Sequence, residues 1–192
     1  MLNVIADTCV GADIYKYHLK QPYQNPFCWE TMDCDSMSYL IQNYKNINFN
    51  NYELVKDKNW NFSIIIDKKV KVNYVHYHFS KKDKIIRTDK SDVFYNKIWE
   101  YIVQKYEERK ERLLKNKENP IFIFGSSWNG QKCKKSTIEK IVKIKTNYKI
   151  IFVVDFDCDV KMPSNCILYK TKIFHDNPKL AGELFNIFLK KF

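Results

Sequence analysis

Ile121-Phe-Ile-Phe124, closed at once by Gly125-Ser-Ser127, is the stretch on which the fold of this 192-residue chain turns. Four apolar residues without alternation, stopped by a glycine and two serines, read as a strand buried on both faces. That is the pattern of a parallel sheet covered by helices. A second such run, Lys149–Val154, ends in Asp155, and a third follows at Cys166–Tyr169. Lys134–Lys145 and the terminal Pro178–Lys191 carry helical periodicity, and Pro178 suits a first helical turn. Upstream, Ser91 caps a long amphipathic helix to about Asn116, along which Ile98, Ile102, Lys105-Tyr106, Arg109 and Leu113 step.

The N-terminal half reads outward from the same logic. Leu2–Ala6 is a short apolar run closed by Asp7-Thr8, good N-cap residues for a helix from about Cys9 to Lys20 with Val10, Ile14, Tyr15 and Tyr17 on its apolar side. Pro22 and Pro26 enforce a turn-rich segment ending in Phe27-Cys-Trp29. Asp35 or Ser36 caps a second helix through Met37, Leu40, Ile41 and Tyr44, and Asn43–Asn51 reads as a surface loop. Phe62–Asp67 and Val70–Phe79, separated by Lys68-Lys69, form an antiparallel hairpin signal. In its second strand Val72, Tyr74, His76 and His78 share one face. Lys81–Lys90 is polar and reads as a mobile segment. The expectation is one α/β domain over 1–192, three layers thick, with a mostly parallel central sheet and an inserted antiparallel hairpin. It is either a whole protein or a domain of a larger polysaccharide enzyme.

Composition excludes several classes. Hydrophobic residues make up 45% and aromatics 16%, so the chain carries a core and is not disordered or collagenous. The net charge is +11, but Lys outnumbers Arg 30 to 3 beside 21 Ile and 18 Asn. That bias is what AT-rich coding produces, so the charge is weak evidence for nucleic acid, and the basic segments are spread along the chain rather than gathered into a stripe. A positive surface still favours anionic partners: sugar nucleotides, phospholipid head groups or membrane-proximal polymer. No apolar run approaches the ~20 residues of a spanning helix. The start, Met1–Asp7, lacks the basic region and apolar length of a signal peptide. The expected location is cytoplasmic, or peripheral at the inner membrane face. The six cysteines, at 9, 28, 34, 133, 158 and 166, include no C-x2-C pair and read as free thiols.

Ligands of open α/β sheets dock at the C-terminal ends of the strands. Asp7-Thr-Cys9, Gly125-Ser126-Ser-Trp128 and Asp155-Phe-Asp157 stand there. A thiol in a helix's first turn has a lowered pKa and an oxyanion site beside it, which makes Cys9 a candidate nucleophile, and Gly11 would admit a substrate closely. The bland alternative for Cys9 is a small buried hydrophobe. His76 and His78 are the natural bases, or else hydrogen-bonded residues of an aromatic cluster. His18 reads as a solvated charge at a helix end, and nothing in the sequence fixes His175 at the site. Arg109 and Arg112, two of only three arginines, suit bidentate contacts to phosphate or carboxylate; an exposed helix laced with Glu–Arg pairs is their structural alternative. Dinucleotide and P-loop fingerprints and a Gly-x-Ser-x-Gly elbow are absent. Asp155 and Asp157 resemble the metal-holding carboxylates of nucleotide-sugar transferases; apart from that, no metal set is expected and the cofactor is unknown.

Val4-Ile-Ala-Asp-Thr-Cys-Val-Gly-Ala-Asp-Ile-Tyr15, Asn25-Pro-Phe27, Tyr74-Val-His-Tyr77, Tyr106-x-x-Arg-x-x-Arg112 and Ile121-Phe-Ile-Phe124 come in one order over roughly residues 3–155. Together they resemble an uncharacterised exopolysaccharide-biosynthesis family, and the related group labelled papain-like cysteine peptidases. Family members carry a Ser-Asn-x-Cys-Trp-Gly-Gly-like start, Ser-Pro, Val-His-Tyr and a Trp-x-x-Arg-x-x-Arg helix. Here Val10 stands for the Trp after the Cys, Ala12 for the second Gly, Cys28 for an Asp of the peptidase-like group, and Tyr106 for the helix Trp. The resemblance implies Cys9, His76 and Arg109/Arg112 as site residues, with Trp29 as a pocket wall.

The expectation is an enzyme of bacterial capsule or exopolysaccharide assembly, performing acyl or amide transfer onto a sugar-linked substrate. Cys9 is its nucleophile and His76 or His78 its base. Asp7, Gly11, Trp29, Arg109, Arg112 and Ser126 bind a sugar-phosphate, nucleotide-sugar or acidic-sugar substrate, and the capsule machinery at the membrane is a further partner. The rivals are a papain-like hydrolase, a non-catalytic sugar-nucleotide or glycan-binding accessory protein, and a metal-dependent glycosyltransferase.

Overall fold

The computed structural model describes residues 2–28, 31–56, 62–74, 92–116, 120–125, 134–171 and 178–191. The solid-apolar runs are parallel strands. β1 (Val4–Ala6), β6 (Ile121–Phe124), β7 (Lys149–Val154) and β8 (Cys166–Lys170) form one four-stranded sheet in the order β1-β6-β7-β8, every pair parallel. Their alternation divides the core in two. Val4, Ala6, Ile121, Ile123, Ile151 and Val153 face one side, against α1 (Val10–Asp13), its π-helical continuation Ile14–Leu19, and α5 (Pro178–Lys191). Ile5, Phe122, Phe124, Ile150, Phe152 and Val154 face the other, where α2 (Cys34–Asn43), α3 (Asp92–Lys115) and α4 (Lys135–Val142) contribute. Helices on both faces satisfy strands with no polar side, so the fold is α/β.

The hairpin belongs to a larger unit than its sequence signal. β4 (Phe62–Ile66) and β5 (Val70–Tyr74) are flanked by β3 (Tyr52–Lys56) and β2 (Thr31–Met32) in a separate antiparallel sheet of order β2-β5-β4-β3. β2 has only two residues, too few to show a period. α3 covers this sheet, with Trp99 edge-on to Phe62 and Tyr106 against Tyr52. One buried cluster runs from Ile64 and Val72 of this sheet to Phe122 and Phe152 of the other.

Three local expectations change and one holds in part. The helix after Asp7-Thr8 starts at Val10 and widens to π geometry after Asp13; Tyr17 is 44% exposed rather than on its buried side. Asp33, not Asp35 or Ser36, caps α2, accepting from the Ser36 N–H at 2.6 Å. The Asn-rich stretch is the irregular surface loop expected, with Lys45, Asn46, Asn48, Asn50 and Asn51 exposed, but Tyr44, Ile47 and Phe49 in it are buried, and Phe49 packs edge-on against both Phe27 and Tyr44. His18 is not a solvated helix-end charge. Its ring stacks on Phe185 of α5 at 5.6 Å, where a Cβ on Gly182 would come within 3.0 Å of it.

Candidate functional site

At the carboxyl edge of the parallel sheet, β1 ends and Asp7 begins the turn into α1. Its N–H donates to the Ile123 carbonyl (3.2 Å), its carbonyl accepts from Met32 N–H (3.0 Å), and its Oδ2 accepts from Gly125 N–H (3.0 Å). Asp7 therefore ties β1 to β6 and to β2 at once. It is 1% exposed, and burial pushes its carboxyl up to about 7, against the smaller downward pull of the Gly125 N–H. Cys9 stands two residues on, buried at the N-cap of α1, its carbonyl accepting from Ala12 and Asp13 N–H groups. Gly11 faces the sheet: a Cβ there would sit 3.1 Å from the Ala6 Cβ, so its missing side chain lets α1 lie on β1.

Cys34, in the first turn of α2, is half-buried near the same edge. Burial, then the charges of Asp7, Asp33 and Asp35, push its thiol up to about 11, with Lys134 opposing them. Asp157 is exposed and pairs with Lys170, and among the described residues no group of three His, Cys, Asp or Glu is placed to hold a metal ion. His76, His78, Trp29, Ser126 and His175 lie outside the described residues.

The arginines meet elsewhere, in a cleft of about 410 Å³ between α3 and the segment that follows the π-helix. Tyr101, Lys105, Glu108, Arg109 and Arg112 recur at helical spacing along α3 and give one wall. Lys16, Pro22 and Tyr23 give the other. Arg109 falls on the spine of Ile98, Ile102, Tyr106 and Leu113 and is only 8% exposed. Its Nη1 donates to the Cys28 carbonyl (2.7 Å), and its guanidinium lies 5.2 Å from the Tyr23 ring centre. Arg112 is half-exposed and donates Nη1 to the Tyr23 carbonyl (3.0 Å). Neither is part of a merely solvated face. Lys105 Nζ reaches Glu108 Oε2 at 3.1 Å, and Gln104 donates to Glu108 Oε1 at 3.0 Å. Burial pushes the Glu108 carboxyl up, but Lys105, Gln104 and the charge of Arg112 outweigh it and leave its pKa below the ordinary value.

No family model, curated protein or solved structure matches this chain.

Arg109 and Arg112 thus come together, while Asp7, Cys9 and Gly11 gather on the β1–α1 turn and do not line the cleft. Sequence reasoning missed Lys16, Tyr23, Tyr101, Lys105 and Glu108. The three on α3 were legible, with Arg112, as a polar stripe at i, i+4, i+7 and i+11 from Tyr101. Lys16 and Tyr23 were not, since only tertiary packing brings the π-helix and the Pro22-Tyr23 segment opposite that stripe. Asn25 of the quoted motif is wholly buried and holds β1 in place: its Nδ2 donates to the Val4 carbonyl (2.7 Å) and to Asn3 Oδ1 (3.0 Å), and its Oδ1 accepts from Phe27 N–H.

Proposed function

We propose that this chain binds a phosphorylated or acidic sugar in the cleft beside α3, as a component of exopolysaccharide or capsule assembly. The composition of the cleft carries this reading. Among the described residues, Lys16, Lys105, Arg109 and Arg112 face a single carboxylate, Glu108, and Tyr23 and Tyr101 supply aromatic surface. A sugar ring offers C–H edges to tyrosine faces, and an anionic substituent on it meets the cations. The volume, about 410 Å³, falls within the ~300–1,000 Å³ of small-molecule sites. Calorimetric titration with glucose 1-phosphate, glucuronate and glucose tests it. Binding of at least one charged sugar, with glucose inert, is expected; glucose binding as tightly as both, or no binding by any, overturns it.

A second reading places chemistry at the carboxyl edge of the parallel sheet, and the buried Asp7 beside Cys9 favours it. Cys9 would lose its proton to His76 or His78, attack an acyl carbon, expel the leaving group and hold the acyl as a thioester. A sugar amine or hydroxyl would then take the acyl and release the thiol, and water in its place would make the protein a hydrolase. Cys9→Ser abolishing turnover while ligand binding in the cleft persists is the expected result. Full turnover in that variant sinks the nucleophile.

A further inference from the structure

We propose that the cleft beside α3 is a phosphate subsite, and that Glu108 is its resident anion, displaced from Lys105 when the phosphate of a sugar phosphate or nucleoside-diphosphate sugar enters. The inference rests on the anionic-sugar reading and narrows it from any acidic sugar to a phosphorylated one.

Three observations lead here. First, the cleft already holds one anionic group in a defined seat: Glu108 takes Lys105 Nζ on Oε2 and Gln104 Nε2 on Oε1. Both donors lie on α3 within four residues of it, so the seat is built by the helix. Second, Arg112 stands one turn further along the same stripe and gives Nη1 to the Tyr23 carbonyl. A guanidinium has five N–H donors in a planar fork, so this bond orients the group and leaves a fork for two oxygens of one ligand. Third, the walls carry Lys16 and Arg109 besides Lys105 and Arg112, four cations beside one lining carboxylate, Glu108.

A uronate brings one negative charge and two oxygens, which would substitute for Glu108 and gain little. A phosphate monoester brings up to two charges and three oxygens, enough to engage Lys105 and the Arg112 fork together. Arg109 does not move in this scheme. Its guanidinium is fixed on Cys28 and Tyr23 and supplies charge from the floor.

Glu108 then competes with the ligand for Lys105. Removing its charge while keeping an acceptor of the same shape must strengthen phosphate binding, an effect opposite to that of losing an ordinary contact residue. Glucose 1-phosphate and glucuronate are titrated into the wild-type chain, Glu108→Gln and Arg112→Lys, with thermal melts confirming that each variant is folded. Wild type is expected to bind glucose 1-phosphate about tenfold more tightly than glucuronate. Glu108→Gln should tighten glucose 1-phosphate about threefold or more, and Arg112→Lys should weaken it about tenfold by losing the fork. Equal affinity for the two ligands overturns the phosphate assignment and leaves the anionic-sugar reading standing. Unchanged or weaker phosphate binding in Glu108→Gln overturns the displacement. Failure of both ligands to bind any form overturns the two proposals together.

Discussion

The Arg109 guanidinium of α3 donates to the backbone carbonyl of Cys28 at 2.7 Å, across 81 positions of sequence. It sits where the helical spine would place an apolar side chain, and the segment after the π-helix closes over it. Removing the donor loses a buried charge-assisted bond, a cost of about 1.5–3 kcal/mol. Arg109→Met is therefore expected to lower the free energy of unfolding by that amount, read as a lower urea midpoint at an unchanged m-value. Arg112→Ala, with one bond on a half-exposed group, should cost under about 1 kcal/mol. Equal losses in the two variants contradict this division between anchor and ligand-binding arginine.

That division was half legible. The Ile98–Ile102–Tyr106–Arg109–Leu113 spacing placed Arg109 on the apolar line of α3, and the unalternating runs at Ile121–Phe124 and Lys149–Val154 declared a parallel sheet, because strands covered on both faces need no polar side. The antiparallel sheet was under-read. β2 is two residues long, and β3 alternates only weakly between partial and full exposure, so neither carries a period to detect. The Asn-rich stretch reads correctly as a loop, but the burial of Phe49, a single apolar residue among turn-formers, is not legible because one of its ring partners, Phe27, is distant in sequence. At the site, residue type marked Asp7, Arg109 and Arg112, while Lys16 of the π-helix and Tyr23 reach the cleft only through tertiary packing against α3.

Asp7 makes stability depend on pH. Its carboxyl, ordinarily at 3.8, is raised to about 7 by burial, so the folded state holds the proton more tightly than the unfolded one. The contribution is whole below about pH 4, falls as pH rises towards 7, and is level above that, a loss of about 4 kcal/mol across the window. The Cys34 thiol facing it is raised to about 11 and stays neutral throughout. Asp7→Asn keeps an acceptor for the Gly125 N–H and should flatten this slope, leaving the variant more stable than wild type at pH 8. Parallel pH–stability curves for the two proteins would falsify the assignment.

Gly11 is held by contact rather than by backbone conformation. An added methyl would meet the Ala6 Cβ at 3.1 Å, and both partners belong to elements fixed elsewhere in the core, β1 by Asn25 and α1 by its continuation under α5. Alanine usually gains about 1 kcal/mol over glycine within a helix. Gly11→Ala is instead expected to lose about 1–3 kcal/mol by pushing α1 off the sheet. A raised melting temperature in this variant shows that the helix can give way.

Cys34 lies in the first turn of α2, where the helix dipole would favour a thiolate. Burial and the carboxylates of Asp7, Asp33 and Asp35 outweigh that and raise it to about 11. At pH 8 its thiolate fraction is more than a hundredfold below that of an ordinary thiol, and the greater intrinsic nucleophilicity of a more basic sulfur recovers about tenfold of this. Iodoacetamide should therefore modify Cys34 in the folded protein at least about tenfold more slowly than in the urea-unfolded chain. Asp7→Asn, which removes the strongest of those charges, should speed the folded-state reaction without altering the unfolded one. Peptide mass mapping follows each cysteine separately. A folded-state Cys34 that reacts as fast as the unfolded chain means that neither burial nor the neighbouring carboxylates hold this thiol up, and the electrostatics assigned to the sheet's carboxyl edge fall with it.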